Sequence, residues 1–202
     1  MLVAHIAVIT HDNYLLLCQR TGRPYYCKWN WSISIEEQMA EEDLCNPFQT
    51  VSRAISEELL GEDFHIDYSL IKFYSFFREL IRMYVTEKGR EVYALNTGAV
   101  AIVNLPISLN EVWNRLDRSP DKEIENIVGL ELRFKPLFEA FQSRTFSPNE
   151  LKMFLKIQPG VDLEFVQDIS IYNQWHPSVK IRLVSILRSM FMNELLDSVK
   201  KE

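Results

Sequence analysis

The amino-acid sequence predicts an α/β protein, and three observations carry that prediction. The first two thirds of the chain alternate β-branched and aromatic runs with turn residues. One short, well-delimited helix interrupts those runs at Pro47 to Gly61, PFQTVSRAISEELLG. The C-terminal third instead carries helical periodicity. At 202 residues, 47% hydrophobic and 25% charged, the chain is long and apolar enough to bury a sizeable core.

The elements follow in order. Residues 3 to 9, VAHIAVI, read as a strand, with His5 as a strand residue. His11-Asp12-Asn13 is a turn, and Tyr14 to Arg20, YLLLCQR, is the second strand of a hairpin. Thr21 to Trp31 is a loop dense in aromatics and cations. There Tyr25, Tyr26, Trp29 and Trp31 can stack on a base, and Arg20, Arg23 and Lys28 can meet phosphates. The same aromatics would equally serve to cover the end of a sheet. Ser32 to Ile35 is a short strand, followed by the acidic segment EEQMAEEDLC.

The central helix has Asn46 as N-cap, Pro47 at its first position and Gly61 at its stop. Phe48, Val51, Ile55 and Leu59 form its apolar stripe. At about 100° per residue, Glu57 points away from that stripe and Glu58 lies at its edge. Arg53 stands one turn before Glu57, so the two can pair.

Strands are expected over about 68 to 77 and in two runs within Glu91 to Leu105, broken near Asn96 to Gly98. NEVWNRL is a short helix, and Ile124 to Leu130 is a strand with Glu123 and Glu125 at its start. A helix covers 134 to 141, and Ser147-Pro148-Asn149-Glu150 opens another through Ile157. His176-Pro177 is a turn or cap opening a long amphipathic helix striped by Leu183, Ile186, Leu187, Met190, Phe191 and Leu195.

The net charge of −6 argues against an extended nucleic-acid surface. It leaves room for a nucleotide as a small ligand. Cys18, Cys27 and Cys45 fit neither a disulfide framework nor a zinc pattern, which suggests reduced thiols and a cytoplasmic setting. The N-terminal apolar run is too short for a membrane span and lacks the pattern of a signal peptide.

The order hairpin ending in QR, aromatic loop, acidic segment, then RAISEELLG, resembles the Nudix family over residues 3 to 141. AHIAVITHDNYLLLCQR is similar to that family's opening hairpin, and DKEIENIVGLEL to its later strand. The family signature runs Gly, five residues, Glu, seven residues, Arg-Glu-apolar-x-Glu-Glu-x-Gly-apolar. Arg53, Ile55, Glu57 and Glu58 match it. Ala54 replaces the acid after the arginine, Cys45 and Met39 stand where the earlier Glu and Gly belong, and the final glycine is displaced to Gly61. The paired glycines before the loop are replaced around Ser34-Ile35.

The resemblance implies an α/β/α sandwich with a mixed central sheet over 1–143, and a helical C-terminal extension over 144–202 packed on it. It implies Mg²⁺ or Mn²⁺ as cofactor, with Glu57, Glu58 and Glu42 as ligands and Arg53 orienting Glu57. Glu123 becomes a catalytic base, with Glu41, Glu42 and Asp43 as substitutes for the missing acid. Arg20, Arg23, Tyr25 and Trp29 become substrate-binding residues. Three readings follow: a diphosphate hydrolase acting on a nucleotide or related metabolite, a degenerate module that binds such a ligand without cleaving it, and an interaction module whose final helix pairs with a second copy or another partner.

Overall fold

The computed structural model describes residues 2–22, 27–85, 88–143, 151–161 and 174–200. Its centre is a mixed sheet. Strand β1 (Leu2–Ile9) runs parallel to β6 (Glu91–Asn104), and the other strand pairs among the described residues are antiparallel. The order across the sheet is β5 (Ile71–Val85), β6, β1, β2 (Tyr14–Arg20), β7 (Ile124–Glu131), β8 (Leu155–Ile157).

Strands β1 and β2 touch only at Ile9 and Leu15 and then part. The gap between them is filled by β3 (Trp31–Ile33), which pairs with β2, and β4 (Ile35–Gln38), which pairs with β1. Ser34 sits at the apex of this wedge, with φ 49°. Its hydroxyl accepts from Val8 N–H (2.8 Å) and donates to the Leu16 carbonyl (3.1 Å), so it bonds to both diverging strands. The left-handed turn also flips the pleat. Ile33 faces one layer and Ile35 the other, where an unkinked strand would put both on one face.

Alternation along β1 builds the two cores. Ala4, Ile6 and Val8 face helices α1 (Pro47–Ile55) and α2 (Leu109–Leu116). Ala7 and Ile9 face α3 (Phe134–Gln142) and α4 (Val179–Met190). The result is the α/β class expected, with helices on both faces of a mixed sheet. No helix among the described residues is long and apolar enough to cross a membrane.

Four expectations need correction. Gly98 does not break β6 but lies within it, because a Cβ there would sit 2.0 Å from the Val3 carbonyl oxygen of the paired strand. Within the segment read as a helix through Ile157, residues 147–150 lie outside the described residues, and Leu155–Ile157 form β8 against β7. The last helix is two: α4 ends at Phe191 (φ −136°, ψ 35°), and α5 (Met192–Val199) follows. Finally, the strand before the acidic segment continues to Gln38, so Glu36 and Glu37 are strand residues with side chains on opposite faces.

Glu36 meets α4. Arg182 of that helix is fully buried. It donates to Ser32 Oγ (3.1 Å), the Ile35 carbonyl (3.1 Å) and Ser178 Oγ (2.8 Å), and also to the Ile33 carbonyl and the Glu36 carboxylate. His176 Nδ1 lies 2.9 Å from the same carboxylate. His176 therefore belongs to this buried network. Burial alone would raise the Glu36 carboxyl, but Arg182 and His176 hold it well below the ordinary range. His5, stacked on Phe77, is pushed down to about 3 by burial and then by Arg182. Truncating Arg182 would strand Glu36 in a buried place. Arg182→Ala should therefore cost about 3–5 kcal/mol in urea unfolding, and the double variant Arg182→Met/Glu36→Gln distinctly less. A single-variant loss below about 1 kcal/mol would contradict this account.

Candidate active site

The site is built on the end of the central helix, which is not one regular helix. The α-helical bonding of α1 stops at Ile55, and Ser56–Leu60 form a wider π turn closed by Gly61 N–H on the Ser56 carbonyl (2.9 Å). Gly61 adopts φ 86°, which its lack of a side chain permits, and ends the turn. The widening alters the 100° rule. Leu59 and Leu60 are both buried, and Glu58 goes inside with them at 6% exposure. π turns are concentrated at functional sites. Ser119 Oγ and Asp121 N–H both donate to the Glu57 carbonyl, so the 119–121 loop is tied to this turn.

Arg53 is the hub. Its Nε and Nη2 donate to the two Asp43 oxygens, both at 3.0 Å, in a bidentate pair. Nη1 donates to Glu57 (2.9 Å), and Nη2 also reaches the Gln38 carbonyl (2.9 Å) and lies 3.5 Å from Glu37. Hydrogen bonding to Asp43 raises the Arg53 pKa further still, so it is a fixed cation. Burial would raise the Asp43 carboxyl, but bonds from Arg53, Ala40 N–H and Thr50 hydroxyl hold it low. Asp43 is thus a structural anion, reached through the turn Glu41–Asp43 and the left-handed pair Leu44 and Cys45.

Glu58 has the opposite electrostatics. Burial, then the nearby Glu37 and Glu123 carboxylates, push it well above the ordinary carboxyl range, against a smaller opposing effect of Arg20. Glu37 is raised as well, chiefly by burial, with Arg53 pulling the other way. Glu123, at the entry to β7, is held by Arg20 Nη2 at 3.2 Å. Thr21 N–H donates to the Glu123 carbonyl (2.7 Å), and Lys122 beside it has φ 49°. Next to this pair opens a cleft of about 470 Å³, walled by Thr21, Gly22, Trp29, Leu116 and Ile124, with Lys122 and the acids Asp117 and Glu125 also on its lining. Trp29 lies over Gly22, where an added Cβ would come within 2.8 Å of the indole.

The structure therefore brings Arg53, Glu57, Glu58, Glu123 and Arg20 to one region, with Trp29 at its rim. Glu42 is exposed on the short turn, and it is Asp43 that turns inward to Arg53. Arg23 and Tyr25 lie outside the described residues. Trp31 is core, fully buried against the opposite layer. Ala54 is fully buried among apolar side chains, so no carboxylate enters from that position. Glu37, Asp121 and Lys122 were not singled out from the sequence. Extending the SISI strand by three residues would have put Glu37 on the helix face.

Among the described residues no three His, Cys, Asp or Glu side chains gather round one point as a ready-made metal cage. The donor chemistry nevertheless suits a hard divalent cation. Glu58 is buried among carboxylates that repel its charge, and Mg²⁺ commonly needs only one or two protein carboxylates, with water and phosphate oxygens completing its shell.

No protein-family model and no curated protein matches the chain. Solved structures do. A bifunctional NMN adenylyltransferase/ADP ribose pyrophosphatase from Francisella tularensis, complexed with AMP and a Mn ion, aligns with 93% of this chain at 13% identity and TM-score 0.42. This chain spans 41% of that protein's length. A C. elegans Ap4A hydrolase aligns over 69% of this chain and 83% of its own, at 14% identity and TM-score 0.35. A MutT protein from Bacillus halodurans aligns over 62% and 95%, at 16% identity and TM-score 0.27.

The raised Glu58 makes a pH prediction. A carboxyl whose folded pKa is raised contributes stability below its unfolded value and loses it as pH climbs through the folded value. The contribution of Glu58 to the thermal stability of the metal-free protein should therefore fall as pH rises above about 4.3, opposite in sign to the contributions of Glu36 and Asp43. Glu58→Gln should remove this downward slope in melts recorded in EDTA. Equal slopes for both proteins would show that Glu58 is ionised throughout.

Proposed function

We propose that this chain is a divalent-metal-dependent hydrolase of a diphosphate linkage in a nucleotide or related metabolite. The observation that carries the reading is the placement of Glu58. Its carboxyl is buried near Glu37 and Glu123, where its own charge is disfavoured. An arrangement so costly to the empty protein is repaid when a cation enters. Arg53, fixed by Asp43, the Gln38 carbonyl and Glu37, leaves Nη1 to orient Glu57.

In this reading Glu57 and Glu58 hold Mg²⁺ or Mn²⁺. The ion, when bound, neutralises diphosphate charge and makes bound water more acidic. Glu123, oriented by Arg20, stands as the base that accepts a proton from the attacking water. Lys122 supplies a cation beside the cleft, and Trp29 with Ile124 supplies apolar walls for the remainder of the substrate. The small molecule is the partner of this site.

Ala54 supports a second reading, in which the site binds the same ligands without cleaving them, because one carboxylate of the matching pattern is replaced by a buried methyl group. One experiment separates the two: a panel of nucleoside diphosphate derivatives incubated with Mn²⁺, with product release and thermal shift read in parallel. Hydrolysis is expected, with kcat lowered at least about 100-fold in Glu58→Gln and in Glu123→Gln. Thermal stabilisation without product assigns the second reading, and neither signal on a broad panel removes both.

A further inference from the structure

A second recess lies far along the sheet from the acidic site. It runs between the outer edge of β5 and one flank of α4, with a volume of about 400 Å³, and is lined by Tyr74, Ser75, Phe76, Ile181, Val184 and Arg188 among others. The strand is 15 residues long and is the last in the sheet order, so among the described residues nothing pairs with its outer edge. A free edge presents alternate N–H and C=O groups to any extended chain laid beside it. Ser75 Oγ lies 2.8 Å from Ser185 Oγ, which ties the strand to the helix at the floor of the recess. The wall is therefore fixed to the edge.

The edge is apolar and cationic together. Phe76 is 84% exposed, Leu80 64% and Tyr74 44%. Lys72, Arg78 and Arg188 are exposed, and none has an ion-pair partner among the described residues. They stand out in a chain of net charge −6. Their sign selects the occupant. In a symmetric pairing of two β5 edges, both copies would bring Lys72 and Arg78 to the seam, and like charges on facing strands destabilise. An acidic strand faces no such repulsion and, with side chains on both faces, gains Arg188 on the helix side and Arg78 on the opposite side.

We propose that this recess binds an extended acidic segment of a partner protein by strand addition to β5. The segment's backbone pairs with the free edge. Apolar side chains on one face of the segment enter against Ile181 and Val184, where a carboxylate of that same face meets Arg188, and carboxylates on the segment's other face meet Arg78, which projects from the sheet face opposite the helix.

The test is selection of short random peptides displayed on a library against the 202-residue chain, followed by anisotropy with the enriched peptides made synthetically. Enriched sequences should alternate Asp or Glu with apolar residues. Binding should weaken about tenfold in Arg188→Glu and in Arg78→Glu, both of which sit on the surface and should melt like the parent. Methylating alternate backbone amides of the peptide should abolish binding, because strand addition needs those N–H groups. Failure to enrich, enrichment without acidic residues, or affinity indifferent to both charge reversals would overturn the proposal. So would a reversible dimer, or adsorption to phosphatidylserine vesicles, that either charge reversal disrupts while no peptide binds.

Discussion

The guanidinium of Arg53 is the interaction on which the candidate site depends. One planar cation joins three elements that are otherwise separate: the turn carrying Asp43, the strand carrying Glu37 and Gln38, and the helical turn carrying Glu57. Guanidinium suits this because it offers five donors in a rigid fork and stays charged. A lysine could neutralise the same acids but could not fix their directions. The Asp43 end is structural, held by two further donors, so the opposite end can orient Glu57.

Strand β4 extends this logic through the sheet. Its pleat sends Glu37 toward Arg53 and Glu36 toward Arg182, so two arginines on opposite layers grip adjacent residues of one four-residue strand. A strand that short is weakly held by its ladder alone. Charge-assisted bonds from both faces supply what the backbone pairing lacks. Ser34 makes the arrangement possible, since its left-handed kink sets which side of the sheet each following residue faces.

The electrostatics of the two faces differ in a way that separates scaffold from site. Glu36 is buried but surrounded by cations, and it is held ionised. Glu58 is buried among anions, and its carboxyl is pushed well above the ordinary range. The first arrangement is satisfied as it stands. The second gains most when positive charge arrives.

The sequence by itself determined the α/β class, the opening hairpin, the capped central helix and the grouping of Arg53 with Glu57, because these rest on local periodicity and on contacts one turn apart. It also placed Glu123 at the start of its strand. Tertiary structure decided the rest, for reasons of distance. Asp43, rather than Glu42, serves Arg53 because a left-handed turn aims it there. Glu58 is inside because the helix widens into a π turn, a change of pitch that no regular period anticipates. Gly98 continues its strand because a neighbouring backbone passes too close for any side chain. His176 was legible as the start of a helix, and Arg182 stood out by no local signal. Their convergence on Glu36, 140 and 146 residues away along the chain, exists only once the sheet brings β4 beneath α4.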